Sequence, residues 1–298
     1  MKDNIKELFQ GLRNEYLNQF SKETIDNERR KIEEIDNFVL ENLKKYHDFY
    51  YILNNKLSAY VLFLNEQKKC NFKIDKRIKQ KAYERLNKIN NTIKILEDIG
   101  KETDTKFLLI KSLNILPYFP VNDIDVMINN LTVLNEFDDL SDQFTKSNEE
   151  EVGKENFLPL DHTKFFKLSF HLDLTWDGVK IEKMAVKDPW KKSIKISPHV
   201  YLNSPKVEAT IKFNECVLEN LHFKLVDYLY VNYYSINIPN KWTSKKYNFK
   251  FPFYIKLLEI FKYTKNRKLF LKNLRRFYIW KFYSKITKKI PLRERSDK

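Results

Sequence analysis

The spacing of the apolar residues changes near residue 104, and this change limits the possible folds more than any other feature of the sequence. Before it, apolar residues recur every three or four positions, which predicts amphipathic helices over residues 1–104, the last of them ending at Gly100. The last helical stretch carries Ile78, Ala82, Leu86, Ile89, Ile93 and Leu96. After residue 104, the short runs 106–110 and 123–128 are apolar or alternate with period two, which predicts strands. The sequence therefore predicts an α+β fold.

The rest of the chain is predicted to continue with a sheet and then with helices. Residues 105–204 are expected to form a small mixed β-sheet core, in which the aromatic stretch 165–174 is a further strand. The acidic stretch 147–159 is expected to be a solvated loop. Residues 205–298 are predicted to be a helical C-terminal region, with one helix over 216–234.

Composition excludes several classes of site. The chain has 4 glycines and neither a GxGxxG nor a GxxxxGK[ST] motif, so a glycine-rich phosphate loop is excluded. Its 2 cysteines, Cys70 and Cys216, form neither a disulfide framework nor a zinc pattern and fit a reducing cytosol. The N-terminus lacks the apolar segment of a secretory signal, and no apolar run approaches the roughly 18 residues of a membrane span. A cytoplasmic location without a transmembrane segment is therefore expected.

The positive charge is concentrated at the C-terminus. Of a formal net charge of +15, residues 241–298 contribute 19 Lys and Arg against 3 acids, whereas residues 1–240 are nearly neutral. Aromatic residues are interleaved with these cations, which suits RNA binding by phosphate contacts and base stacking. A peripheral contact with an anionic membrane surface is a weaker alternative, and an aromatic core solvated by lysines is a third.

Three aspartates are the candidates for chemistry. Asp123 and Asp125 stand two positions apart on a predicted strand, so their side chains share one face of the sheet. Asp173 lies near the end of a second predicted strand, and His171 shares its face by the same parity. Carboxylates in this arrangement are ligands that Mg²⁺ prefers, together with the phosphates of a substrate.

The segment KSLNILPYFPVNDIDVMI, residues 111–128, resembles the signature of the nucleotidyltransferase superfamily related to DNA polymerase beta. In that signature a small-residue turn precedes a DxD strand by about ten residues and a third acid follows on a later strand. Lys111 and Ser112 occupy the turn position, Asp123 and Asp125 form the DxD, and Asp173 matches the third acid. The resemblance covers about residues 105–185.

The resemblance implies a nucleotidyltransferase-like core that uses Mg²⁺, held by Asp123, Asp125 and Asp173, to move a nucleoside monophosphate from a nucleoside triphosphate. The acceptor would be a hydroxyl, and the basic C-terminal region favours RNA. Lys111, Ser112 and His171 are expected to bind substrate. The family usually has glycine in the turn, where the backbone approaches phosphate closely, and this chain has none. A catalytically degenerate protein that acts as an RNA-binding or interaction module is therefore the alternative.

Overall fold

A computed structural model of the chain describes residues 4–45, 52, 56–120, 122–130, 132–140, 142–148, 154–171, 175–176, 179–180, 188–215, 222–223, 225–234 and 249–250. The helices described before residue 105 are α1 (Ile5–Leu17), α2 (Lys22–Lys45), α3 (Ser58–Glu66) and α4 (Lys76–Thr103). Their apolar stripes face inward. On α2 this stripe consists of Ile32, Ile35, Val39 and Leu43, all of them buried. The helical spacing in the sequence therefore marks the side of each helix that packs.

The centre of the molecule is a seven-stranded mixed sheet, which confirms the predicted α+β class. Its strands are β1 (Phe107–Ile110), β2 (Asp123–Ile128), β3 (Phe144–Lys146), β4 (Lys154–Pro159), β5 (Lys167–His171), β8 (Ile194–Lys195) and β9 (Val200–Leu202). Their order across the sheet is β3-β4-β5-β2-β1-β9-β8. β2 runs antiparallel to β1 and parallel to β5. The two strands predicted to carry the carboxylates are therefore direct neighbours.

Short elements complete the described structure. Helix α5 (Val133–Leu140) follows β2, and the two-residue strands β6 (Thr175–Trp176) and β7 (Val179–Lys180) pair separately as a hairpin. Helices α6 (Pro205–Glu215) and α7 (Leu225–Tyr234) pack against each other. Among the helices that the structure describes, none is long and apolar enough to cross a membrane.

Two expectations about secondary structure are wrong in the central region. Gly100 does not end a helix, because α4 continues to Thr103 and stops where Asp104 takes a left-handed backbone with φ 51°. The glycine is needed for packing instead: a Cβ at this position would lie 2.4 Å from Cβ of His199. The stretch 147–159 is not wholly a loop, because its second half forms β4.

The predicted helix over 216–234 is also wrong in part. Its C-terminal half is α7, but β10 (His222–Phe223) precedes that helix and pairs with β11 (Phe249–Lys250). The C-terminal region is therefore not purely helical. Apart from β11, the strongly basic part from residue 241 onward lies outside the described residues.

The sheet has one apolar and one polar face in its centre. On the apolar face, Phe170 of β5 and Phe157 of β4 pack on Phe137 of α5, with ring centroids 5.0 Å and 4.7 Å away. Ile124 and Val126 of β2 are buried as well. Because side chains alternate along a strand, Asp123 and Asp125 of β2 project to the opposite face.

Residues 112–120, in the loop after β1, are buried, and side chains from distant elements satisfy part of their backbone. The guanidinium of Arg13 donates from Nε to the carbonyl of Ile115 at 3.1 Å and forms a two-bond ion pair with Asp36. The hydroxyl of Tyr230 lies 3.1 Å from the backbone N–H of Leu116 and accepts its hydrogen bond. Buried backbone groups without partners are costly, so these contacts fix the loop that leads from the turn to the two aspartates.

Candidate functional site

The turn at the end of β1 has a left-handed backbone. Lys111 has φ 54°, a conformation that glycine adopts more easily than any residue with a Cβ. Its backbone N–H donates to Oε2 of Glu208 on α6 at 3.1 Å. Glu208 is fully buried and also accepts hydrogen bonds from Asn203 and from the hydroxyl of Tyr118. The chain therefore turns at the position predicted from the sequence. The buried carboxylate of Glu208 fixes the backbone of this turn, which contains no glycine.

Ser112 connects the turn to the DxD strand. Its hydroxyl donates to the carbonyl of Ile110 at 2.7 Å and accepts the backbone N–H of Asp125 at 3.2 Å. Ser112 is 1% exposed, so this hydroxyl acts inside the protein and fixes the backbone at Asp125. Its predicted contact with a substrate stays a prediction.

Asp125 is the centre of the cluster. Nζ of Lys111 lies 3.4 Å from its Oδ2, and Nε2 of His171 on β5 hydrogen bonds to its Oδ1. The strand register places these groups together, since Asp125 is opposite Ile110 on β1 and Ser169 on β5. Three residues predicted as site residues from separate segments, Lys111, Asp125 and His171, are therefore in direct contact.

The two aspartates differ in electrostatic environment. Burial and the charge of Asp125 raise the pKa of Asp123 above its ordinary value, although nearby lysines oppose the shift. Burial alone would also raise the pKa of Asp125, but Lys111 and His171 outweigh it and hold that pKa well below the usual range. Burial lowers the pKa of His171, and the charge of Asp125 offsets this only in part. The contact between the two side chains therefore favours the ionised form of Asp125, whereas burial disfavours the charged form of His171.

Several polar residues around the aspartates were not predicted from the sequence. The hydroxyl of Ser169 lies 2.8 Å from Oδ1 of Asn156 and 3.4 Å from Oδ2 of Asp123. Lys167 is opposite Asp123 in the β2–β5 register, and Lys154 is opposite His171 in the β4–β5 register. We call this side of β2, β5 and β4 the polar face; its members are Asp123, Asp125, Lys154, Asn156, Lys167, Ser169 and His171. The sequence signal for these residues was the alternation of polar and apolar residues within β4 and β5. In β4 the acidic residues just before the strand made the whole stretch resemble a solvated loop.

The structure describes two of the three carboxylates of the predicted metal site, Asp123 and Asp125. Asp173, the third predicted ligand, lies outside the described residues. Within the described part of the chain there is no group of three or more His, Cys, Asp or Glu side chains placed to hold a metal ion. Asp123 and Asp125 share a face, and burial together with the charge of Asp125 raises the pKa of Asp123. The carboxylate oxygens fit Mg²⁺ in type, and the amine of Lys111 would have to move from Asp125 to admit it.

No protein-family model matches this chain, and neither a curated protein nor a solved structure shows significant similarity to it. The likeness to the nucleotidyltransferase superfamily therefore rests on the motif in residues 111–128 and on Asp173. The geometry of the site is the remaining source of functional inference.

Proposed function

We propose that this chain is a magnesium-dependent nucleotidyltransferase that moves a nucleoside monophosphate from a nucleoside triphosphate to an acceptor hydroxyl. The observation that carries the proposal is the cluster in which Asp125 joins the turn residue Lys111 to His171 on the neighbouring strand. Sequence motif and geometry therefore favour the same site.

In this proposal Asp123, Asp125 and Asp173 hold the metal. Magnesium bound there would neutralise phosphate charge and promote attack by the acceptor hydroxyl. Asp123 is only partly buried and has few internal hydrogen bonds, so its carboxylate is available to a cation. Asp125 is oriented through its backbone by Ser112 and through Oδ1 by His171. Preorganised carboxylates of this kind lose little conformational entropy when a ligand binds.

Lys111 has a second role in the proposal. Its amine neutralises Asp125 in the protein alone, and its side chain is long enough to turn toward a phosphate bound beside that carboxylate. The amine would then neutralise phosphate charge where other family members use backbone groups of a glycine turn. The amine already contacts Asp125 on the polar face.

RNA is the proposed acceptor because of the composition of residues 241–298. Their 19 basic residues against 3 acids attract a polyanion, and their aromatic rings suit unstacked bases. The structure describes only β11 in this stretch, so the support is from sequence.

A binding protein without catalysis is the second candidate, and one observation favours it. Both oxygens of Asp125 are already engaged, and the backbone N–H of Lys111 is held by Glu208. A site whose polar groups satisfy one another is stable without a ligand. In this candidate the nucleotidyltransferase-like core is a scaffold, and the basic region binds RNA.

The test is transfer of label from α-³²P nucleoside triphosphates to total RNA in the presence of Mg²⁺. We expect the wild-type chain to label RNA, and the Asp123→Asn and Asp125→Asn variants to be slower by about 100-fold or more. Asp98→Asn is the matched control, since it removes an exposed carboxylate on α4. Labelling that is absent from the wild type, or equal in all variants, would contradict the proposal. RNA binding that weakens as salt is added and is unchanged by both substitutions would then support the second candidate, a binding protein without catalysis.

A further inference from the structure

The near-neutral charge of residues 1–240 conceals a strongly basic segment. Residues 67–94, which form the loop after α3 and the first part of α4, contain 10 Lys or Arg and 2 acids. The remainder of residues 1–240 contains 26 Lys or Arg and 35 acids. Positive and negative charge are therefore separated from each other along this part of the chain.

The exposed lysines of this segment follow one side of α4. Lys76, Lys79, Asn87 and Lys94 are exposed and recur at spacings of three, eight and seven residues, which place side chains on the same side of a helix. At 1.5 Å per residue, the distance from Lys76 to Lys94 along the helix axis is about 27 Å. This length matches several successive phosphates of a nucleic acid strand.

Neighbouring acids do not neutralise these lysines. Asp75 caps α4 and is paired with Arg77 at 2.8 Å, and Glu84 accepts a hydrogen bond from Gln80. Within the part of the chain that the structure describes, no carboxylate lies within ion-pair distance of the exposed lysines of the loop and the helix side, Lys68, Lys73, Lys76, Lys79 and Lys94. We call these five residues the lysine surface. Their amines are open to an anion from solution.

The position of the lysine surface opposes the stability of α4. The N-terminus of a helix carries partial positive charge, so acids stabilise the first turn and cations destabilise it. The first turn of α4 contains no acid and begins with Lys76 and Arg77. Lys76 and Lys79 are also neighbours three residues apart, where like charges repel. Acids would solvate this side equally well and would stabilise the helix, so the lysines favour an anionic partner.

We propose that the lysine surface binds the phosphate backbone of RNA. Lysine amines contact phosphates without reading the bases, so binding there would be independent of sequence. Leu160 is the exposed large apolar residue of the described part of the chain, and it lies outside this segment. The apolar face with which an amphipathic helix enters a membrane is therefore not present here. The inference depends on neither the metal nor the transfer step, and residues 241–298 would be a second contact with the same strand.

The probe is fluorescein-labelled oligouridylate, titrated with the full chain in EDTA at several salt concentrations and followed by fluorescence anisotropy. We expect Lys73→Gln/Lys76→Gln/Lys79→Gln/Lys94→Gln to weaken binding by about tenfold or more. The slope of log affinity against log salt concentration should become shallower by about 2 or more, since phosphate contacts are lost. Arginine at the same four positions should preserve both values.

The matched control is Lys22→Gln/Lys106→Gln/Lys195→Gln/Lys206→Gln, which removes four exposed lysines from elsewhere in the chain. It should change neither the affinity nor the salt slope by as much. Circular dichroism melts check that each variant keeps its fold, and the glutamine variant of the lysine surface should melt no lower than the wild type.

Three results would overturn the inference. If the wild type binds no RNA, or binds it as tightly as the variant of the lysine surface does, the surface makes no contact with RNA. Equal weakening in both glutamine variants would show attraction by net charge alone. Loss of binding to anionic phospholipid vesicles, with RNA binding unchanged, would assign the surface to a membrane.

The Asp123→Asn variant separates this inference from the proposed function. It should bind oligouridylate in EDTA as the wild type does, and it should lose magnesium-dependent transfer. If the chain transfers no label but the variant of the lysine surface binds RNA more weakly and with a shallower salt slope, the surface is supported and the transferase alone is contradicted.

Discussion

The amine of Lys111 lies 3.4 Å from Oδ2 of Asp125, although residues 112–124 separate the two in sequence. The antiparallel register brings the two residues close, because Ile110 is opposite Asp125 and Lys111 follows Ile110. Lys111 also has a left-handed backbone, which costs about 1–2 kcal/mol for a residue with a Cβ. The ion pair and the backbone strain therefore have opposite effects on stability.

Substitutions at Lys111 are predicted to separate these two effects. Lys111→Met removes the amine and keeps the strain, so it should lower the free energy of unfolding by about 1–3 kcal/mol. Lys111→Gly removes both and should be about 1 kcal/mol more stable than the methionine variant. Urea denaturation measures both values. Lys68 is the control, since it also has a positive φ, 59°, but is exposed; Lys68→Met should change stability little. A glycine variant no more stable than Lys111→Met would show that the turn is not strained.

The ion pair between Arg13 and Asp36 is predicted to make stability depend on pH. Burial alone would raise the pKa of Asp36, but Arg13 and Lys69 outweigh it and lower the pKa below 3.8. As pH falls, the unfolded chain therefore takes up a proton at Asp36 before the folded chain does. The stabilisation is present above pH 3.8 and is lost progressively below it.

Asp36→Asn tests this dependence. It breaks a buried pair, so it should lower the free energy of unfolding by about 3–5 kcal/mol at pH 7. The difference between wild type and variant should narrow as the pH of the urea denaturation is lowered below 3.8. Asp26→Asn, at an exposed pair with Arg29, should have little effect at any of these pH values. A difference that stays constant with pH would show that Asp36 has an ordinary pKa.

Gly100→Ala is predicted to destabilise the protein although it replaces glycine inside a helix. Helix propensity alone would favour alanine by about 1 kcal/mol. The new Cβ would lie 2.4 Å from Cβ of His199 and 2.8 Å from the carbonyl oxygen of Thr105, and neither atom is the end of a flexible chain. We expect a net loss of about 1–3 kcal/mol, measured as a lower midpoint in urea. A gain in stability would show that α4 and the segment before β9 are not packed this closely.

The elements that were predicted correctly are those whose apolar residues follow a clear local pattern. β1 is buried along its whole length, so FLLI is a plain apolar run. β4 was missed because Lys154 and Asn156 project to the polar face, and their polarity matches that of a loop. β9 has 3 residues and owes its position to pairing with β1, which no local pattern records.

The candidate site could be predicted in part for the same reason. Parity along one strand places Asp123 and Asp125 on one face without knowledge of the fold. The contact between His171 and Asp125 depends on the register of β2 against β5, which is a tertiary property. Glu208, which holds the turn from α6, is 97 residues from Lys111 in sequence and has no motif around it. Such contacts follow from the packing of distant elements.

The most direct test of the central claim is calorimetric titration of a non-hydrolysable nucleoside triphosphate, with Mg²⁺ and with EDTA. If Asp123 and Asp125 hold a metal beneath the phosphates, Mg²⁺ should tighten binding by the wild type. Asp123→Asn should lose that magnesium-dependent gain, about tenfold or more, while Asp98→Asn should keep it. A wild-type affinity that is the same with Mg²⁺ and with EDTA, or a full magnesium effect in Asp123→Asn, would contradict the account.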